Sequence, residues 1–256
     1  MCELLGIAVE PAAVMGVYFH AFRPRARQNQ SGWGVGWYEG GRAKVVKEAK
    51  RADHSEKALE LARNQPMSDL FVIHVREATV GEVSLANTHP FTAGLRGREW
   101  IWAHNGTVHN RGRLEVGGFT PAGTTDSEMA FYHLLNRLAQ LDDDAGSDRE
   151  AEVILEAGRE LSEGSKVNFL LSDGRTLYAY HDGHKTLHFV ERSDESGEVR
   201  IADDEDYEIE LKLPAVAHDR AVIVASVPLT NETWTPMNPG DFLVCRAGRV
   251  VDLVRI

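Results

Sequence analysis

The chain has 256 residues, 43% of them hydrophobic, and carries 28 Lys and Arg against 39 Asp and Glu, a formal charge of −11. This length allows one large domain or two small ones, and the apolar fraction supports a packed core; the acidic excess excludes a surface that tracks nucleic-acid phosphates. Two cysteines exclude a disulfide framework, and no apolar run approaches the ~20 residues of a membrane span, so the expectation is a soluble, cytoplasmic protein with no nucleic-acid or membrane partner.

Residues 2–9 form the first predicted strand. Glu3 precedes its apolar run, Glu10 ends it, and no basic segment stands before it, which predicts no targeting leader. Strands follow at 33–38, 43–46, 70–75 and 100–104, with a hairpin signal at 39–41. In the first of these, Gly32, Gly34 and Gly36 alternate with large residues as a closely packed strand would; no helix opens after them, so they make no phosphate cradle. A short helix is predicted over 55–63, with Asp53 and Glu56 spaced as a capping box. A longer one covers 126–141, started by Thr125 with Glu128 three residues on, and Phe131, Leu134, Leu135, Leu138 and Leu141 follow the helical period. After an acidic loop at 142–148, a third helix runs to about Ser162. A second block of strands occupies 167–171, 176–180, 186–190, 209–213, 221–227, 242–245 and 250–254, with hairpin signals at 172–174, 182–183 and 247–248. The acidic run at 203–206 reads as a solvated turn. Two strand blocks with helices between them, and no linker or repeat, predict an α+β fold of packed antiparallel layers in one domain.

Cys2 is the most informative residue. Removal of Met1 gives it a free α-amine beside its thiol, so one residue supplies both a nucleophile and a base whose ordinary pKa is about 7.7–8.0. The other reading is an incidental cysteine at a frayed end, weakened because Cys2 runs straight into an apolar strand. Arg76 ends the strand at 70–75, where a guanidinium suits bidentate capture of a carboxylate or pairs with Glu77 or Glu82. Asn105-Gly106 either aims two N–H donors at a developing oxyanion or makes an ordinary Asn-Gly turn. Asp126, at a helix start, serves capping or binds an ammonium group. His74, His89 and His104 are spaced fifteen apart, outside any compact ligand spacing, so they read as structural or supporting histidines; no metal and no cofactor is expected.

In this order, Met1-Cys2, Gly32-Trp33-Gly34, His74 to Gly81, Asn87-Thr88-His89-Pro90, His104-Asn105-Gly106 and Thr125-Asp126-Ser127-Glu128 resemble the class II glutamine amidotransferases. The likeness continues through Asn168 to Gly174 and Pro228 to Trp234, and is closest to the stand-alone, YafJ-type branch. It implies an N-terminal-nucleophile hydrolase with a four-layer αββα sandwich that fills residues 1–256 and leaves no room for a fused synthase. It implies that Cys2 attacks the side-chain amide of glutamine, giving a γ-glutamyl thioester and ammonia, with Asn105 and the Gly106 N–H holding the oxyanion. Arg76 and Thr79 would bind the substrate α-carboxylate and Asp126 its α-ammonium. The larger synthetases commonly carry an aromatic residue after the Arg and a His after the Thr, where this chain has Glu77 and Val80. A different pocket wall follows, and with it a bulkier γ-glutamyl amide as substrate, as in the related hydrolase branch of ergothioneine synthesis. The same site allows two further readings: ammonia delivered to an unidentified accepting protein, or a non-catalytic γ-glutamyl-binding module.

Overall fold

A computed structural model describes residues 2–15, 22, 25, 27, 29–77, 81–193 and 220–255. The predicted strand at 209–213, the acidic run at 203–206, Thr79 and Val80 lie outside the described residues.

One sheet has seven strands. They are β1 (Glu3–Ala13), β2 (Gly32–Glu39), β3 (Arg42–Glu48), β4 (Ser68–Arg76), β9 (His188–Ser193), β10 (Arg220–Ala225) and β11 (Thr235–Pro236), in the order β11-β9-β10-β1-β4-β2-β3. The other has six: β5 (Phe91–Leu95), β6 (Arg98–Thr107), β7 (Lys166–Ser172), β8 (Thr176–Tyr180), β12 (Phe242–Arg246) and β13 (Arg249–Val254), in the order β13-β12-β8-β7-β6-β5. Neighbouring strands run antiparallel in both. The helices are α1 (Glu56–Arg63), α2 (Asp126–Ala139) and α3 (Ser147–Ser162).

Side-chain alternation builds the layers, because successive residues of a strand point to opposite faces. Along β1, Leu5, Ile7 and Val9 pack with Ala58 and Leu61 of α1, whereas Leu4 and Ala8 point the other way. Along β6, Trp100 and Trp102 pack under α2 and α3, whereas Ile101 and Ala103 turn inward. The inward sets meet each other, with Leu170, Leu177 and Leu243 from the six-stranded sheet against Val72, Val222 and Val224 from the seven-stranded one. The order is helix, sheet, sheet, helix, which is the four-layer α+β sandwich expected.

Gly34 is needed where the 89–90 segment passes over β2. A Cβ there would lie 2.2 Å from the carbonyl oxygen of His89 and 2.8 Å from Pro90 Cδ, so only glycine lets the 89–90 segment cross β2.

Several local expectations change. Ser55, not Asp53, caps α1: its extended backbone stands immediately before the helix and its hydroxyl accepts the Ala58 N–H at 3.0 Å. Asp53 sits in the preceding turn of 3-10 helix and takes the Arg51 guanidinium. Thr125 does cap α2, but the Glu128 carboxylate turns to the N–H groups of Ala122 (2.9 Å) and Gly123 (2.7 Å). The helix ends at Ala139 rather than Leu141. Residues 182–183 form no hairpin; they carry the chain from β8 in one sheet to β9 in the other, which begins at His188. β5 escapes a pattern reading because only Phe91 of its five residues is buried. Its turn into β6 is made by Arg96 and Gly97, both with positive φ.

Candidate active site

Cys2 stands just before β1, whose Glu3 pairs with Val75 near the end of β4. The thiol therefore meets the first peptide beyond that strand. Cys2 Sγ accepts the Glu77 N–H at 3.2 Å and donates to the Glu77 carbonyl at 3.2 Å. Cys2 is thus tied to the end of β4. Burial pushes the Cys2 thiol pKa up, opposed by the Glu77 N–H and by the positive charges of Lys185 and Arg76. The net effect is upward, so near neutrality the sulfur holds its proton and needs a base to become a nucleophile.

Asn105 and Gly106 lie inside β6, paired with Asn168 and Val167 of β7, so they do not form a turn. Asn105 is buried, and its Nδ2 donates to the Cys2 carbonyl at 3.3 Å and to Ser226 Oγ at 3.2 Å. Gly106 has φ 148°, and a Cβ there would fall 1.8 Å from the Lys166 carbonyl oxygen. The strand can continue past Asn105 only through glycine.

Arg76 closes β4 and is buried; its Nη1 donates to the Glu82 carbonyl at 3.3 Å and its Nη2 contacts that of Gly81 at 3.5 Å. Burial lowers its pKa, and the nearby charges of Cys2 and Asp126 oppose this, which places the three groups around one site. Asp126 opens α2 and spends one oxygen on the Val108 N–H at 2.6 Å. His104 fixes this helix end. Its Nε2 faces the Lys166 carbonyl at 3.1 Å, an acceptor only, so Nε2 carries the proton and Nδ1 accepts from Ser127 Oγ at 2.8 Å.

Asn87 joins the loop after β4 to the entry of α2. Its Nδ2 donates to the Glu82 carbonyl at 3.1 Å, beside Arg76, and its Oδ1 accepts the Thr124 N–H at 2.8 Å, beside Asp126. Lys47 holds the following segment, donating to the carbonyls of Thr88 (2.6 Å) and Pro90 (3.2 Å). His74 and His89 pack in a tilted pair with centroids 4.4 Å apart, and burial holds both well below the ordinary imidazole pKa and hence neutral. Among the described residues no cluster of three His, Cys, Asp or Glu is placed to hold a metal ion.

Four expected residues therefore gather with Cys2: Arg76, Asn105, Gly106 and Asp126. Two residues that no local pattern marks join them. Ser226, just past β10, accepts the Leu4 N–H as well as that of Asn105. Lys185 extends its Nζ to 3.5 Å from the Cys2 carbonyl. Its loop is held by Asn168, which accepts the Asp182 N–H and donates to the Lys185 carbonyl, each at 3.0 Å.

Residues 1–256 match the family model described as class-II glutamine amidotransferases. Among curated relatives, the Escherichia coli protein YafJ, named a candidate glutamine amidotransferase, is 36% identical over 98% of this chain and 100% of its own. A Mycobacterium tuberculosis protein named gamma-glutamyl-hercynylcysteine sulfoxide hydrolase is 29% identical over 76% of this chain and 82% of its own. Among solved structures, one described as a predicted glutamine amidotransferase from Pseudomonas aeruginosa superposes with a TM-score of 0.73 at 26% identity, covering 98% of this chain and 100% of that one.

Proposed function

Because the chain belongs to the class II glutamine amidotransferases, a family of amide-hydrolysing enzymes, we propose that Cys2 is its nucleophile once Met1 is removed. The free α-amine takes the thiol proton as Sγ attacks the side-chain carbonyl carbon of glutamine. The carbonyl π electrons move to oxygen, and the oxyanion is held by Asn105 Nδ2 and the Gly106 N–H. On collapse the protonated amine returns its proton to the departing nitrogen. The C–N bond breaks, ammonia leaves, and a γ-glutamyl thioester remains on Sγ. The amine then takes a proton from water, hydroxide adds to the thioester, and the thiolate leaves and recovers that proton, giving glutamate. Arg76, with Thr79, binds the α-carboxylate, and Asp126 binds the α-ammonium.

The observation that carries this reading is the contact between Cys2 and Asn105. They are 103 positions apart and come from different sheets, yet the amide of one donates to the carbonyl of the other. Cys2→Ala is expected to abolish glutaminase activity in a preparation whose mass confirms loss of Met1. Asn105→Ala should lose ~10²–10³-fold in kcat while remaining folded, the usual cost of removing an oxyanion donor. Activity retained by Cys2→Ala would refute the assignment.

Similarity to the hydrolase of a γ-glutamyl compound favours a second substrate reading. Glu77, in place of the aromatic residue of larger synthetases, stands at the thiol and accepts the Gln30 N–H at 3.1 Å. A pocket wall without that ring admits a γ-glutamyl amide whose leaving group is an amine larger than ammonia. A higher kcat/KM for γ-glutamyl-alkylamides than for glutamine supports this reading; the reverse order returns the enzyme to glutamine, with delivery of ammonia to an accepting protein as the remaining question.

A further inference from the structure

We propose that Ser226 is the positioning residue of the oxyanion hole, acting through Asn105; this rests on the reading of Asn105 as an oxyanion donor. The amide of Asn105 is held from one side only. Its Oδ1 is buried and has no hydrogen-bond partner among the described residues. All the hydrogen bonds that orient it run through Nδ2, to Ser226 Oγ at 3.2 Å and to the Cys2 carbonyl at 3.3 Å. A planar amide with one N–H fixed has the direction of its other N–H fixed too. Ser226 takes the first, and the second rests on the Cys2 carbonyl, which it exchanges for the substrate oxyanion that forms beside Sγ. The opposite rotamer would set Oδ1 against the Cys2 carbonyl, acceptor facing acceptor.

The hydroxyl is itself immobilised. β1 and β10 pair in register up to Leu5 and Ala225, and the Ser226 N–H continues the ladder to the Leu4 carbonyl at 3.0 Å. The return bond from the Leu4 N–H goes to Ser226 Oγ at 2.9 Å, while the Ser226 carbonyl is taken by Thr186 Oγ1 at 2.8 Å. One buried hydroxyl thereby ties the oxyanion donor to the strand that carries the nucleophile. Small movements of β1 then carry Cys2 and the Asn105 amide together.

The test is steady-state kinetics of Ser226→Ala, Asn105→Ala and the double variant, with Ser226→Thr and Ser226→Val as an isosteric pair. Ser226→Ala is expected to lose at least ~10-fold in kcat with KM within about twofold, and the double variant to lose no more than Asn105→Ala alone, because both changes remove one shared interaction. Ser226→Thr, which keeps the hydroxyl, should outperform Ser226→Val by a similar factor; this comparison holds if the alanine variant fails to fold. Multiplying losses in the double variant, equal activity of the Thr and Val variants, or an effect confined to KM would overturn the proposal. Wild-type turnover by Asn105→Ala would instead overturn the oxyanion assignment beneath it, so the two failures are distinguishable.

Discussion

At Cys2 two charge effects oppose each other, and they act differently on its two groups. Burial keeps the thiol protonated, so under the proposed mechanism activity at low pH is limited by the supply of neutral α-amine. Among the described residues, the charged side chains acting on its thiol are Lys185 on the crossover and Arg76 at the end of β4. A cation near an amine disfavours its protonation, so Lys185 lowers the amine pKa. Removing it in Lys185→Met raises that pKa, and the acid limb of the kcat/KM profile should move to higher pH; Lys185→Arg should leave it in place. An unmoved limb in the methionine variant would show that Lys185 has no electrostatic part in the reaction. Lys47 gives a second pH effect, this one on stability. Burial lowers its pKa from 10.5 to about 8, so between those values the unfolded chain binds more protons than the folded one. By linkage, stability rises with pH across that window. Denaturation midpoints of wild type relative to Lys47→Met should therefore increase from pH 8 to pH 10, and a flat difference would contradict the burial argument.

Among the elements, the connecting segments set the site more than the strands do. Asn87 lies between β4 and β5 and links the loop behind Arg76 to the entry of α2. Asn87→Ala removes its bonds to the Thr124 N–H and the Glu82 carbonyl, both on exposed residues that water can reach, a cost of about 0.5–1.5 kcal/mol in stability. It should also raise KM for glutamine by about tenfold or more with a smaller change in kcat, because a small displacement of binding groups is costly; a kcat effect without a KM effect would place Asn87 on the chemical side of the site. Much of this level was legible in the sequence. The Thr125 cap, the long α2 and the strand ending in Arg76 are written in local patterns that survive folding. Asn105-Gly106 was ambiguous because its dipeptide suits a turn equally well, and only the neighbouring Lys166 carbonyl shows why the second residue must be glycine. The Asp182-Gly183 signal misled because a tight turn has the same residues whether it closes a hairpin or starts a crossover.

For the molecule as a whole, the site lies where the two sheets meet. Cys2 and Arg76 come from the seven-stranded sheet, Asn105 from the six-stranded one, Asp126 from the helix outside it, and Lys185 from the segment that passes between sheets. The strand blocks flanking the helices predict packed antiparallel layers and the family resemblance supplies their four-layer order, but neither points to Ser226 or Lys185. Their partners are 222 and 183 residues away along the chain. Among the described residues no helix is long and apolar enough to cross a membrane. The central claim is that Cys2, freed of Met1, forms a thioester with the substrate. Its most direct test is intact-mass and peptide mass spectrometry of protein quenched in acid during turnover of glutamine. The expected species is the chain without Met1 carrying one γ-glutamyl group on the Cys2 sulfur, absent from Cys2→Ala and removed by hydroxylamine. Turnover of glutamine by a preparation that never carries this adduct, and that persists in Cys2→Ala, would contradict it.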